Sequence, residues 1–162
     1  MYKTRKINEQ LQTFFSACYP YVSYKKCFHR YEVTVGVGGN IGDMKRRLHH
    51  LFYALKKEKR VCVVQTTLML KNPPFGYTQQ DDFLNSIIIL KTSLPPRAFL
   101  KYLLGLEKRF GRKRSFANAP RTLDLDIIFF DNRVINTRDL VVPHPYWSQR
   151  ESVVIPLAGV KR

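Results

Sequence analysis

Phe83-Leu84-Asn85-Ser86-Ile87-Ile88-Ile89-Leu90 contains three consecutive isoleucines. Side chains on a strand alternate between faces, so this run is apolar on both sides and reads as the central strand of a sheet. Upstream, Val33 to Val37 reads as a strand entering the turn Gly38-Gly39-Asn40-Ile41-Gly42. Asp43 is placed to cap a helix in which Leu48, Leu51, Phe52 and Leu55 keep the i, i+3, i+4, i+7 stripe. Val61 to Leu70 reads as another strand, and the polar loop 71–82 holds Pro73-Pro74 and Gly76. Downstream, Pro95 and Pro96 favour a helix start, because first-turn positions need no amide donor. Phe99, Leu103, Leu106 and Phe110 carry that helix to a stop at Gly111. A basic loop then leads to a fourth strand, Leu123 to Phe130, and Asp131-Asn132 turns the chain into Val134-Ile135. Two β-α-β units in succession predict a ferredoxin-like α+β sandwich, βαββαβ, with an antiparallel central sheet.

Residues 1–30 stand apart from the domain expected over 31–162. They hold Lys3, Arg5, Lys6, Lys25, Lys26 and Arg30 against the single acid Glu9. Ile7, Leu11, Phe14, Phe15 and Cys18 fall at helical spacing, so a short amphipathic helix ended by Pro20 is expected there.

Composition narrows the function classes. A chain of 162 residues with 44% hydrophobic residues forms a core and is not wholly disordered. No apolar run approaches the roughly 20 residues of a spanning helix, and a secretory signal is not expected at the start. Cys18, Cys27 and Cys62 lack metal-like spacing, so free thiols in a reducing cytoplasm are expected. The 28 Lys and Arg exceed the 12 Asp and Glu, a net charge of +16 that calls for an anionic partner: nucleic acid, an acidic membrane face or a phosphorylated small molecule.

The chemistry concentrates in Ala119-Pro120-Arg121-Thr122-Leu123-Asp124-Leu125-Asp126-Ile127. On a strand, Asp124 and Asp126 share a face, about 6.6 Å apart along the backbone. Unpaired, they would repel each other and lose hydration. A divalent cation answers both problems, and Mg²⁺ takes one or two protein carboxylates together with phosphate oxygens and water. The spacing also fits two metals about 3.5–4 Å apart on a phosphoryl centre. Salt bridges to nearby arginines are the alternative. Just upstream, Lys108-Arg109-Phe110-Gly111-Arg112-Lys113-Arg114 can hold a polyphosphate. No GxxxxGK[ST] loop is present, which excludes a P-loop kinase in its usual form.

In this order, Gly38-Gly39-Asn40-Ile41-Gly42, Pro73-Pro74-Phe75-Gly76, Asp82-Phe83-Leu84-Asn85, Arg112-Lys113-Arg114, Pro120 to Ile127 and Val142-Pro143-His144-Pro145 resemble the 6-hydroxymethyl-7,8-dihydropterin pyrophosphokinases of folate biosynthesis. The resemblance covers about four fifths of the chain and leaves the N-terminal arm unexplained. It implies a ferredoxin-like core with mobile loops closing over the ligands. It also implies transfer of diphosphate from ATP to a reduced pterin, with two Mg²⁺ held by Asp124 and Asp126. By the same resemblance Arg112 and Arg121 stabilise the transferring phosphates, Arg114 assists, and His144 contacts the nucleotide phosphates. Glu107 and Ile127 line the nucleotide site; Pro74, Phe75, Phe83, Asn85 and Arg150 belong to the pterin site. A monomer without membrane or nucleic-acid partners is expected.

Three departures from the family pattern stand out. Phe116-Ala117-Asn118-Ala119 replaces an arginine-tryptophan pair in a shorter loop. Ser152 stands where an aromatic usually covers the pterin, with Phe75, Tyr146 and Trp147 as candidate substitutes. Asp139, beside Arg138, stands where an arginine is usual. The competing readings are a basic RNA-binding module on the same layout and a non-catalytic pterin-binding relative.

Overall fold

A computed structural model describes residues 2–162. Four strands and two helices form the predicted layout: β4 (Tyr31–Gly39), α1 (Met44–Lys57), β5 (Val61–Thr66) continuing as β6 (Met69–Asn72), β7 (Phe83–Thr92), α2 (Pro96–Arg109) and β8 (Asp124–Phe130). β4 lies between β7 and β8, and β5 and β6 both pair with the far side of β7, all antiparallel. That is the ferredoxin-like order. The expected strand 61–70 is kinked instead of continuous: Thr67 Oγ1 accepts the Ile87 amide at 2.9 Å, replacing a ladder bond where β5 passes into β6.

Asp43 caps α1, accepting the Arg46 amide at 3.1 Å. Leu48, Leu51, Phe52 and Leu55 of α1 and Phe99, Leu103 and Leu106 of α2 are buried against Val33, Val35, Val37, Ile88, Leu125 and Ile127. The other sheet face is covered by a helix absent from the sequence reading, α3 (Glu151–Leu157), whose Val153 packs with Ile87, Ile89 and Ile128. The isoleucine run therefore feeds both layers. After this core come the two-residue strands β9 (Ile135–Asn136) and β10 (Val141–Val142), paired with each other.

The N-terminal helix is a correction. Residues 3–6 and 12–15 form strands β1 (Lys3–Lys6) and β2 (Gln12–Phe15), and β3 (Tyr21–Val22) pairs with β5. β2 pairs with β6, adding the hairpin to the main sheet. A helix this short gains little by itself, whereas the open edge of β6 offers a ladder of unpaired backbone groups. Asn8 Oδ1 accepts the Gln10 and Leu11 amides, both at 2.8 Å, closing the turn that breaks the helical pattern. Leu11, Phe14, Cys18 and Tyr19 are buried, and the Tyr19 hydroxyl donates to the Leu48 carbonyl at 2.8 Å.

The cysteines also depart from expectation. Cys27 and Cys62 form a disulfide and Cys18 is a buried free thiol. The paired cysteines stand 35 positions apart in the chain, and β5 brings them together. No helix among the described residues is long and apolar enough to cross a membrane.

Candidate functional site

Leu123, just before β8, and Leu125 and Ile127 on it face the main core, so Asp124 and Asp126 face away from it, as strand alternation requires. Their cross-strand partners on β4 are Gly38 and Gly36, and Asn85 and Ile87 of β7 stand next in the same rows. The two glycines leave a bare floor, with the carboxylates on one side and Asn85 on the other. Two strand spacings, about 10 Å, separate those walls, which is room for a planar bicyclic ring.

Two cavities meet at the carboxylate side of this floor. The first, about 450 Å³, is lined by Pro73, Pro74, Phe75, Phe83, Asn85 and Ser152 among others. The second, about 650 Å³, lies against α2 and is lined by Leu100, Leu104, Glu107, Arg112, Arg114 and His144 among others. Asn118, Arg121, Asp124, Asp126 and Arg150 line both. The acidic pair therefore stands at the junction.

The arginines are tethered. Arg112 donates to Asp124 Oδ1 at 2.6 Å and is ion-paired with Glu107 Oε1 at 2.8 Å; Arg121 donates to Asp124 Oδ2 at 3.0 Å. Arg121 also lies over the Phe83 ring, 5.4 Å from its centroid, and Arg150 over the Phe75 ring at the same distance. Arg114 reaches Glu107 only at 3.8 Å and stays exposed. Burial opposes the charge on Arg112, but Asp124 and Glu107 outweigh it and raise its pKa further. Glu107 is buried and also accepts the Leu125 amide at 2.8 Å; burial raises its pKa against the pull of that amide and of Arg112.

Asp126 is different. No protein group hydrogen-bonds its carboxylate among the described residues, and it opens into both cavities. Burial, then the charges of Asp124 and Glu107, push it up to about 7. An under-satisfied carboxylate beside a second one is the donor set a hard divalent cation takes. Among the described residues no three His, Cys, Asp or Glu side chains gather around a metal position. A metal here fits as Mg²⁺ commonly binds, on two carboxylates with the remaining positions left to phosphate and water. His144 Nδ1 is likewise buried without a partner, and burial followed by Arg150 lowers its pKa, keeping the ring neutral.

The loops over the first cavity touch each other. Gln80 donates to the carbonyls of Tyr77 at 2.6 Å and Asn118 at 2.8 Å, and its own carbonyl accepts from Asn40 at 2.8 Å. Asn40 Oδ1 in turn accepts the Arg121 amide at 3.0 Å. The rings of Tyr77 and Phe116 meet edge to face, 5.3 Å between centroids. Asn40 and Gln80, missed in the sequence, thus fix the backbone carrying Arg121.

A family model for 7,8-dihydro-6-hydroxymethylpterin-pyrophosphokinase matches residues 34–162. The chain belongs to this family. It is 41% identical over 145 residues to the 2-amino-4-hydroxy-6-hydroxymethyldihydropteridine pyrophosphokinase of Helicobacter pylori, covering 88% of this chain and 89% of the relative. The Campylobacter jejuni enzyme of the same name is 40% identical over 145 residues, covering 90% and 92%. That of Bacillus subtilis is 36% identical over 126 residues, covering 78% and 75%. Membership of this pyrophosphokinase family does not favour the RNA-binding reading.

All but one of the anticipated site residues line the two cavities. Ile127 is the exception: its parity buries it in the main core, away from both. Of the three aromatics considered beside Ser152, Phe75 lines the first cavity, whereas Trp147 packs on Phe129. Tyr146 is exposed and lines neither cavity. Asp139 pairs with Arg97 of α2 at 3.5 Å, which brings a cation to the second cavity from another element. Gly36 and Gly38 carried a readable signal: two glycines at strand period on one face.

Proposed function

We infer that this pyrophosphokinase transfers the terminal diphosphate of ATP to the hydroxymethyl group of 6-hydroxymethyl-7,8-dihydropterin, giving AMP and the pterin diphosphate in folate biosynthesis. The observation that carries the assignment is the shared junction: two cavities, one aromatic and amide-lined, the other basic, open onto the same two aspartates. The pterin ring occupies the first, against Phe83 and Phe75 and within reach of Asn85, whose amide supplies both donor and acceptor. ATP occupies the second, its phosphates turned toward Arg112, Arg121 and His144.

In the reaction the hydroxymethyl oxygen bonds to the β-phosphorus and loses its proton to solvent, the bond from that phosphorus to the α–β bridging oxygen breaks, and AMP leaves with that oxygen. Asp124 and Asp126 would hold two Mg²⁺, whose charge would neutralise that of the phosphates. Arg112 and Arg121, already oriented by Asp124, face the charge that builds on the transferring group. Arg150 lies on the Phe75 ring and so holds the loop carrying it over the pterin. Positioning and charge carry a step of this kind, with little covalent work for side chains.

A monomer is proposed as the working unit. The use of ATP supports a cytoplasmic location, and the Cys27–Cys62 pair lies outside both cavities. The test is AMP release from ATP with 6-hydroxymethyl-7,8-dihydropterin and Mg²⁺. One AMP per pterin diphosphate is expected. Absence of AMP with the wild-type chain, or RNA binding that weakens steeply with salt, refutes the assignment.

A further inference from the structure

The first cavity has a wall from outside the family match, which begins at residue 34: Gln10, at the tip of the β1–β2 hairpin. The tip is held in place. Besides the two amides bound by Asn8, the Ile7 amide donates to the Leu11 carbonyl at 2.8 Å, and Leu11 is buried at 4% exposure. β2 pairs with β6 through Gln12 and Lys71, so the antiparallel register carries the tip toward Asn72 and Pro73, where β6 enters the cavity. There Asn85 Nδ2 donates to Asn72 Oδ1 at 2.6 Å. The Gln10 backbone is thus fixed, while its carboxamide is exposed and hydrogen-bonded to no protein group among the described residues.

From this arrangement, and resting on the function proposed above, we infer that Gln10 is a specificity-determining contact for the pterin: its carboxamide closes the amide-lined end of the cavity and hydrogen-bonds a polar edge of the heterocycle. The N-terminal hairpin is then part of the substrate site. A neutral carboxamide suits a ring edge that mixes donors and acceptors, because it offers both. Gln10 lines the first cavity and not the second, so its effect is confined to one substrate.

The experiment compares wild type with Gln10→Ala in the full-length chain. Steady-state AMP release is measured with pterin and ATP varied in turn, beside the Tm of each protein. Calorimetric titration with 6-hydroxymethyl-7,8-dihydropterin, in Mg²⁺ and a non-hydrolysable ATP analogue, reads affinity without turnover. Loss of one hydrogen bond raises the pterin KM and Kd about fivefold, with the ATP KM and the Tm unchanged. Pterin KM and Kd equal to wild type overturn the inference. So does a parallel rise in both KM values with a lower Tm, which marks a structural turn and not a contact. A wild-type chain that neither releases AMP nor binds the pterin refutes the proposed function and this contact together; an active wild type with an indistinguishable variant refutes the contact alone.

Discussion

Gly38 on β4 and Asn85 on β7 face each other so closely that a methyl group on Gly38 would stand 2.0 Å from Asn85 Oδ1. The missing side chain is what lets the Asn85 amide lie over the strand and donate to Asn72. Gly38→Ala therefore forces Asn85 off that position. The pterin KM rises about tenfold while the ATP KM holds, and the strain costs about 1–3 kcal/mol in urea unfolding. Gly105→Ala is the control: nothing lies within 4 Å of its added methyl, and a helical alanine stabilises by up to about 1 kcal/mol.

The acidic pair sets stability against activity. Asp126 is half-buried beside Asp124 with no protein donor to compensate it, so removing its charge relieves repulsion in the metal-free protein. At pH 8, where the carboxyl is ionised, Asp126→Asn raises the Tm by about 3 °C, equivalent to about 1 kcal/mol. The same change lowers AMP release more than about 100-fold, because the proposed metal ligand is lost. Adding Mg²⁺ with a non-hydrolysable ATP analogue raises the Tm of wild type and not of the variant. A variant less stable than wild type without metal contradicts this account.

Local rules made part of this legible. Alternation along Leu123 to Ile127 was enough to put the two aspartates on one face, and the Ile87–Ile89 run announced a strand covered on both sides. Non-local pairing accounts for the rest. The hairpin partner of β6 was hidden because Ile7, Leu11, Phe14, Phe15 and Cys18 also fit a helix, and only the free edge of β6 decides between the two. Ile128 bulges between the pairs Val35–Ile127 and Thr34–Phe129, which returns Phe130 to the core; strict alternation cannot show that. Nothing in the spacing of Cys27 and Cys62 foretells that β5 brings them together, and α3, seven residues with an internal proline, carries too little periodicity to read.

Glu107 joins α2 to β8 and to Arg112 in one buried knot. Glu107→Ala strands the Leu125 amide and leaves Arg112 with Asp124 alone, and an unsatisfied buried donor costs about 1–3 kcal/mol. Glu107→Gln keeps an acceptor for the amide and isolates the electrostatic part. Arg112 then answers to Asp124 alone, and the ATP KM rises about tenfold while the pterin KM is unchanged. Equal shifts in both KM values would mean that Glu107 supports the fold without orienting Arg112.

The basic arm is structural before it is anything else. A chain beginning at Arg30 loses Leu11, Phe14, Cys18 and Tyr19 from the core, together with the Tyr19 bond to the Leu48 carbonyl. At about 1.5–3 kcal/mol for each large apolar side chain, the three largest contribute roughly 5–9 kcal/mol. Whole domains are stable by only about 5–15 kcal/mol. The shortened chain is therefore expected to lose its cooperative thermal transition and to expose the β6 edge, aggregating where the full chain stays dispersed. Changing Lys3, Arg5 and Lys6 together to Gln separates charge from packing, because β1 is exposed along its length. That variant retains the wild-type Tm within about 2 °C, as surface substitutions do. A shortened chain that melts cooperatively at the wild-type temperature would show that the hairpin only decorates the sheet.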